Sequence, residues 1–328
     1  MNQTDSMEVY RLSGQAYIQR ILYFAVTTLL VIGGTVIAIG EFMASPLDAL
    51  YVLPATILII ALGVNTGYHM YFTHHSFDAA PAFKYLLAYL GSITCQDSIA
   101  QWVSNHKRHH RHTDSADLDP HSPHKFGDSK WAVLTLGLAW ATFAWKFSRT
   151  STSKAYYSKE LLIDPVIAWF DKYYVAVSWS GFVIPFVLGY LASGMDLAIK
   201  WFAYFGAFRV FTGYFFTEFV VNGLCHAIGT SKFKTNGHPG NLARLSWLTL
   251  GTTLHHNHHA FPRALSPAID GEWDPMNVVY AFLEKTGAMY GRREYSPEEV
   301  ELKRLEMPEA DATQGSRIPT WVAADTED

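Results

Sequence analysis

The chain has 328 residues, a formal charge of −4 and only 16% charged residues, against 49% apolar and 15% aromatic ones. That balance excludes a nucleic-acid-binding protein, which needs a concentrated positive surface, and points to a protein built in a membrane. Two cysteines, Cys95 and Cys225, leave no room for a disulfide framework or a thiolate metal cluster.

In chain order, residues 1–20 carry Asp5 and Glu8, and the apolar run after them is longer than a secretory h-region and has no clear cleavage signal. This run is expected to stay as a first span. Ile21 to Gly40, Ala49 to Thr66 and Tyr173 to Met195 contain no charge, and each is long enough to cross a hydrocarbon core. Trp201 to Val221 is read as a fourth span despite Arg209 and Glu218, with Arg209 expected to face the bundle interior. The fold class is therefore an all-α membrane protein of four transmembrane helices, at about 21–42, 49–70, 173–195 and 199–222.

Lys and Arg number two in residues 1–20, eleven in 72–172 and ten in 223–328, and none in the short connections Met43 to Asp48 and Asp196 to Ile199. By the positive-inside rule both termini and the long polar segments face the cytoplasm. Pro81 to Trp102 and Trp131 to Phe147 are apolar but carry or adjoin polar residues, which predicts interfacial helices or parts of a cytosolic cap, with membrane hairpins as the alternative. Ser296-Pro297-Glu298-Glu299 has the form of an N-cap, Pro at N1 and Glu at N3. One domain is expected over 1–306, then an acidic tail over 307–328 with a disordered composition.

Eight of the fifteen histidines fall into three boxes: His69 with His74; His106, His109 and His110; His255, His258 and His259. The second and third boxes have i, i+3, i+4 spacing, which puts their rings on one helical face. His69 and His74 lie roughly 140° apart around an α-helix, so a break or a change of winding is expected between them. Imidazole suits iron, copper, nickel and zinc, and one zinc needs only four ligands, so this many rings imply more than one transition-metal ion.

Around the boxes stand Gly67-Tyr68-His69, Phe83-Lys84-Tyr85-Leu86-Leu87-Ala88-Tyr89-Leu90-Gly91, Trp102-Val103, Asp119-Pro120-His121-Ser122-Pro123, Asp164-Pro165-Val166, Asn222-x-x-x-His226 and His258-His259-Ala260-Phe261-Pro262. From about Gly63 to Tyr290 the chain resembles the membrane-bound fatty acyl desaturases of the stearoyl-CoA and bacterial or cyanobacterial Δ9 type. The resemblance implies a cytosolic cap carrying a histidine-rich dimetal site with nine ligands: His69, His74, His106, His109, His110, His226, His255, His258 and His259. It also implies Asn222 acting through a bound water, and no catalytic side chain beyond the metal centre.

The implied activity is O2-dependent insertion of a double bond into an acyl chain at two irons, with zinc as a substitute in overexpressed preparations. Removing two hydrogens from an unactivated methylene pair needs an oxidant stronger than any side chain, which is why the step falls to metal and O2. The acyl substrate is carried on CoA, a carrier protein or a lipid, or is the free acid. A separate electron donor of ferredoxin or cytochrome b5 class, with its reductase, is expected. His238-Pro239-Gly240 is reminiscent of a cytochrome b5 haem loop, but the stretch between His226 and His255 is too short to hold that domain.

His75, His112, His121, His124, His238 and His256 are left outside the nine, with His121 and His256, beside the boxes, and Asp119 as candidates for supporting the ligands. Glu218, Asn222 and His226 fall at i, i+4 and i+8, so Glu218 either orients a ligand imidazole or snorkels toward the cytoplasmic end. Thr56 and Ala61 are expected to line an acyl tunnel among spans one, two and four. The chain departs from the family in having His69-Met70 and His74-His75 where His-Arg is common, Gly251-Thr252-Thr253-Leu254 before the third box, Ser231-Lys232-Phe233-Lys234 after His226, and Glu218 where an aromatic is usual. Competing readings are a diiron hydroxylase or terminal-alkene-forming decarboxylase of the same fold and, of another class, a membrane zinc hydrolase.

Overall fold

The computed structural model describes residues 5–305, so the 307–328 tail lies outside the described residues. The described chain is mostly helical. Its only named strands form two antiparallel pairs, Val9–Arg11 with Thr150–Thr152 and Asp78–Ala79 with Met289–Tyr290. The described residues fall into two compact units, one made of residues 5–69, 84–104 and 146–215, the other of 70–83, 105–145 and 216–305.

Among the described residues, three helices are long and apolar enough to cross a membrane: Gly14–Ala44, Pro46–Thr73 and Tyr174–Ser193. The first opens on Ser13, whose side chain accepts from the Ala16 backbone, and its 31 residues exceed the hydrocarbon thickness of a bilayer. Leu22, Leu29, Ile32 and Val36 are exposed on it, while Gly34, Thr35 and Ala38 are buried. Small residues inside allow close approach: a Cβ on Gly34 would stand 2.4 Å from that of Ala207. The second begins as a short 3₁₀ turn, continues as the α-helix Ala49–Ile60 and ends as a π-helix over Ala61–Thr73. The third stops at Gly194, which adopts φ 82°, and Gly189 lets the returning backbone of Leu197 and Ala198 approach closely.

The fourth apolar stretch is helical without a break, but its winding changes along it. Met195–Trp201 and Arg209–Gly213 are α-helical, Phe202–Phe208 and Tyr214–Gly223 are π-helical, and a 3₁₀ turn follows over Leu224–His226. Arg209, 1% exposed, donates from Nε to the Phe205 carbonyl at 2.7 Å, from Nη1 to Ile93 at 2.8 Å and from Nη2 to Gly181 at 3.4 Å. Gly181 leaves room there: a Cβ would stand 2.6 Å from Nη2 and 2.9 Å from the Ile93 Cβ. At the hairpin end, Lys200 pairs with Asp48 at 2.6 Å and Glu41 at 3.2 Å, and Tyr204 donates to Asp48 at 2.9 Å.

The two predicted interfacial segments are broken up. Pro81–Ser92 and Ile99–His112 are separate helices, with Cys95 and Asp97 at positive φ between them. Trp131 to Phe147 is spread over helical pieces Lys130–Ala132, Val133–Gly137, Leu138–Thr142 and Ala144–Phe147. In the second unit, Phe233, Ala260, Phe261 and Ala264 form a core with Ile269, Tyr295 and Val300 against it. Val300 lies on Pro297–Leu305, whose start is a reciprocal capping box: Glu299 N–H donates to Ser296 Oγ at 3.2 Å and Ser296 N–H to Glu299 Oε2 at 2.8 Å.

Candidate metal centre

His106, His109 and His110 sit on the last two turns of Ile99–His112, and His255, His258 and His259 occupy the six-residue helix His255–Ala260. That short helix is held by Asn257, which is fully buried: its backbone N–H donates to Asn241 Oδ1 at 3.1 Å, Asn241 Nδ2 donates back to Asn257 Oδ1 at 2.7 Å, and Asn257 Nδ2 reaches the Pro267 carbonyl at 3.0 Å.

Within the second unit the rings gather into two sets. In the first, Nε2 atoms approach at 3.1 Å for His74 and His106, 3.0 Å for His106 and His110, and 3.1 Å for His110 and His258. In the second, the distances are 2.8 Å for His226 and His255, 3.1 Å for His255 and His259, and 3.3 Å for His109 and His259. Ligand atoms within each set all lie within 4.8 Å of one another. Each H-x-x-H-H helix therefore divides its rings: His106 and His110 go one way and His109 the other, while His258 parts from His255 and His259. His69 belongs to the first unit, on the Ala61–Thr73 π-helix, with Nδ1 3.5 Å from Asn65 Oδ1 and its ring 6.2 Å from that of Trp102. The expected change of winding before His74 is this π-helix, in which backbone bonds join residues five apart, so the α-helical separation of roughly 140° no longer applies. Neighbouring His75 is exposed, at φ 51°.

Carboxylates fix two of the rings. His109 Nδ1 donates to Asp119 Oδ2 at 2.8 Å, and the same carboxylate receives the backbone N–H groups of Asp114 at 2.9 Å and His121 at 3.1 Å. His121 stacks on His109 with centroids 4.5 Å apart and has Nδ1 3.8 Å from Asp119 Oδ1. His226 Nδ1 lies 3.0 Å from Asp114 Oδ1, at ion-pair distance but outside hydrogen-bond geometry. Burial pushes the Asp119 carboxyl up, but His109 and His121 outweigh it and hold it well below the ordinary range. Asp114 is likewise lowered, burial being overcome by His226. Burial pulls His109 down and Asp119 pulls it further up, a net rise that favours its protonated form; in the neutral ring it is the bond to Asp119 that keeps the proton on Nδ1 and leaves the Nε2 lone pair for a cation. Burial, with imidazole neighbours His110, His255, His226 and His109, lowers His259 well below its usual value, which favours the neutral ligand form.

His256 is spent elsewhere. Its Nδ1–H donates to the Pro239 carbonyl at 2.9 Å and its Nε2 accepts the Lys232 and Phe233 backbone N–H groups, both at 2.9 Å. Burial lowers it to about 4. Glu218 is 2% exposed and accepts from Asn222 Nδ2 at 2.9 Å, so the snorkelling alternative does not hold. Sequence reasoning missed Asp114 and Gly237, and it left His124 among the histidines outside the nine without naming its partners. Asp114 had a signal, four residues beyond His110 on the same segment; a Cβ on Gly237, φ 72°, would meet its Oδ2 at 2.6 Å. His124 Nε2 bonds the His226 carbonyl at 3.1 Å and its Nδ1 pairs with Asp128 at 2.7 Å.

The donor set fits transition metals. Imidazole nitrogens about 2.0–2.1 Å from a common ion stand about 2.9–3.4 Å from one another in octahedral or tetrahedral arrangement. The observed Nε2 separations of 2.8–3.3 Å match that spacing. With the Nδ1 proton of His109 directed at Asp119, its Nε2 cannot also be a hydrogen-bond donor in the neutral ring.

Residues 48–270 match the model of the fatty acid desaturase family. The chain is 28% identical over 293 residues to the hex-5-enoyl-[acyl-carrier protein] acetylenase of Moorena producens (strain JHB), covering 87% of this chain and 88% of that one. It is 29% identical to the probable lipid desaturase ADS3.2, chloroplastic, of Arabidopsis thaliana, over 73% of this chain and 62% of the plant protein. Against the sn-2 palmitoyl-lipid 9-desaturase of Nostoc sp. (strain 36) the identity is 29%, over 62% of this chain and 66% of that protein.

Proposed function

The chain belongs to the fatty acid desaturase family of oxidoreductases, and from that premise we propose that it inserts a double bond into a fatty acyl chain, using O2 at a centre of two irons. The observation that carries this reading is the division of eight imidazoles into two sets of four, each converging through Nε2. His74, His106, His110 and His258, joined by His69, hold one iron; His109, His226, His255 and His259 hold the other; Asn222 serves the centre through a water. When bound, the irons supply oxidising power that no side chain has. Asp119 keeps the His109 proton on Nδ1 and Asp114 steadies His226, so that both rings present a lone pair.

The acyl chain loses two hydrogens from adjacent methylenes; with O2, two external electrons and two protons, two waters form. The electrons come from a separate ferredoxin or cytochrome b5 class donor and its reductase. Four spans, counting Met195–Gly223, hold the enzyme in the bilayer, with termini and centre on the cytoplasmic side, where Lys and Arg concentrate. The acyl group arrives on a lipid, on CoA or a carrier protein, or as the free acid. A second outcome, conversion of an existing double bond to a triple bond, is favoured by the acetylenase name of the Moorena relative, which aligns along 87% of this chain.

Expression in a desaturase-free host with lipid mass spectrometry, beside metal analysis of anaerobically handled protein, tests the reading. The expected result is new unsaturated or acetylenic acyl chains and two irons per chain. One zinc and no iron from iron-replete cells, with an unchanged lipid profile, would overturn it.

A further inference from the structure

We infer that Glu218 is a positioning residue that fixes the orientation of the Asn222 carboxamide, leaving Asn222 Oδ1 rather than Nδ2 to face outward as an acceptor. The inference rests on the reading in which Asn222 serves the metal centre through a water. Both residues lie on the π-helix Tyr214–Gly223, four positions apart, and Asn222 Nδ2 donates to Glu218 Oε2 at 2.9 Å. Glu218 is 2% exposed, and a carboxylate is retained at that depth only when its oxygens are bonded. The two ends of a carboxamide are nearly equal in size and opposite in hydrogen-bond sense, so an unrestrained Asn populates two flips. An ionised carboxylate only accepts, so it selects the flip that turns the NH2 toward it. A side chain without an acceptor would leave Asn222 in the wrong flip part of the time, offering a donor where the centre's water needs an acceptor.

The test uses the full chain in lipid nanodiscs, iron-loaded, as wild type, E218L, E218Q, N222A and E218L/N222A. In E218L we expect kcat to fall about tenfold with KM little changed, because one group is misoriented rather than removed. Iron stays at two per chain, and the Mössbauer spectrum shifts in the same sense as in N222A. E218Q, whose amide oxygen still accepts, should recover most of the loss. Acting through Asn222, the Glu218 change should add nothing in the N222A background. Multiplying losses in the double variant, a drop in iron content, or wild-type kcat and spectrum in E218L would each overturn the inference. E218A, which likewise offers no acceptor, runs the same cycle should E218L fail to fold. A wild-type protein without iron or product would instead remove the functional reading itself, so the two failures are distinguishable.

Discussion

His255 and His256 are neighbours on one six-residue helix and both are buried, yet their rings meet different partners. His255 Nε2 meets two other imidazoles, whereas His256 has a backbone partner on each nitrogen and no place in either converging set. Alanine at His256 should therefore cost about 2–4 kcal/mol of stability, from a cavity plus unmet backbone groups, and leave the metal content intact. Alanine at His258 should strip metal and abolish product. Thermal melts and metal analysis of both purified variants check this; equal metal loss in the two would contradict the assignment. The boxes were legible in the sequence because their spacing is local and metal ligands leave a dense histidine signature. The split of each box between two sets was not, because same-face spacing does not say which ring turns to which partner. Nor was the pairing of Asp114 with His226, which joins residues far apart along the chain.

Among the elements, the apolar runs announced three spans because uncharged stretches of that length have few other uses, but helix type left no such mark. The π-helical stretches at Ala61–Thr73 and Tyr214–Gly223 depend on tertiary packing, and they carry His69, Glu218 and Asn222. Arg209 shows the same limit. The sequence placed it in the bundle interior, and only the fold supplies the three carbonyls that receive it. Asp164 was legible as part of a motif, and its role is local: its side chain accepts from Val166 at 2.9 Å and Ile167 at 3.2 Å, capping the Pro165–Lys172 helix, and pairs with Lys84. Asp164→Ala should cost about 1–2 kcal/mol. Burial raises this carboxyl, but the Lys84 bond and the two backbone donors outweigh it and hold it below the usual value. Its folded pKa being lowered, the contribution is complete above the unfolded value of about 3.9 and is lost as pH falls through the folded one. The Tm gap between wild type and Asp164→Ala should thus hold steady from pH 7 to about 4 and close below that. A gap unchanged at the most acidic pH that still permits folding would count against this account.

At the scale of the whole molecule, no linker is visible in the sequence because the two compact units interleave, each drawing on three stretches of chain. The first unit contains apolar helices long enough to cross a membrane, with buried positions among them. Thr56 and Ala61 on the second span are 0% and 4% exposed, so neither faces lipid, and the Thr56 hydroxyl has no hydrogen-bond partner among the described residues. They stand thirteen and eight residues before His69 along the second helix, two depths at which the end of an acyl chain would be stopped. If this face lines the tunnel, Ala61→Phe should shorten the preferred substrate more than Thr56→Phe, with metal content unchanged in both. If these side chains only pack against neighbouring helices, added bulk changes stability alone, by about 1–3 kcal/mol. Product chain lengths from a mixed acyl pool, measured on folded and metal-replete variants, separate the two: a graded shortening places the chain along the second span, and an unaltered length distribution in both variants sends it along another face.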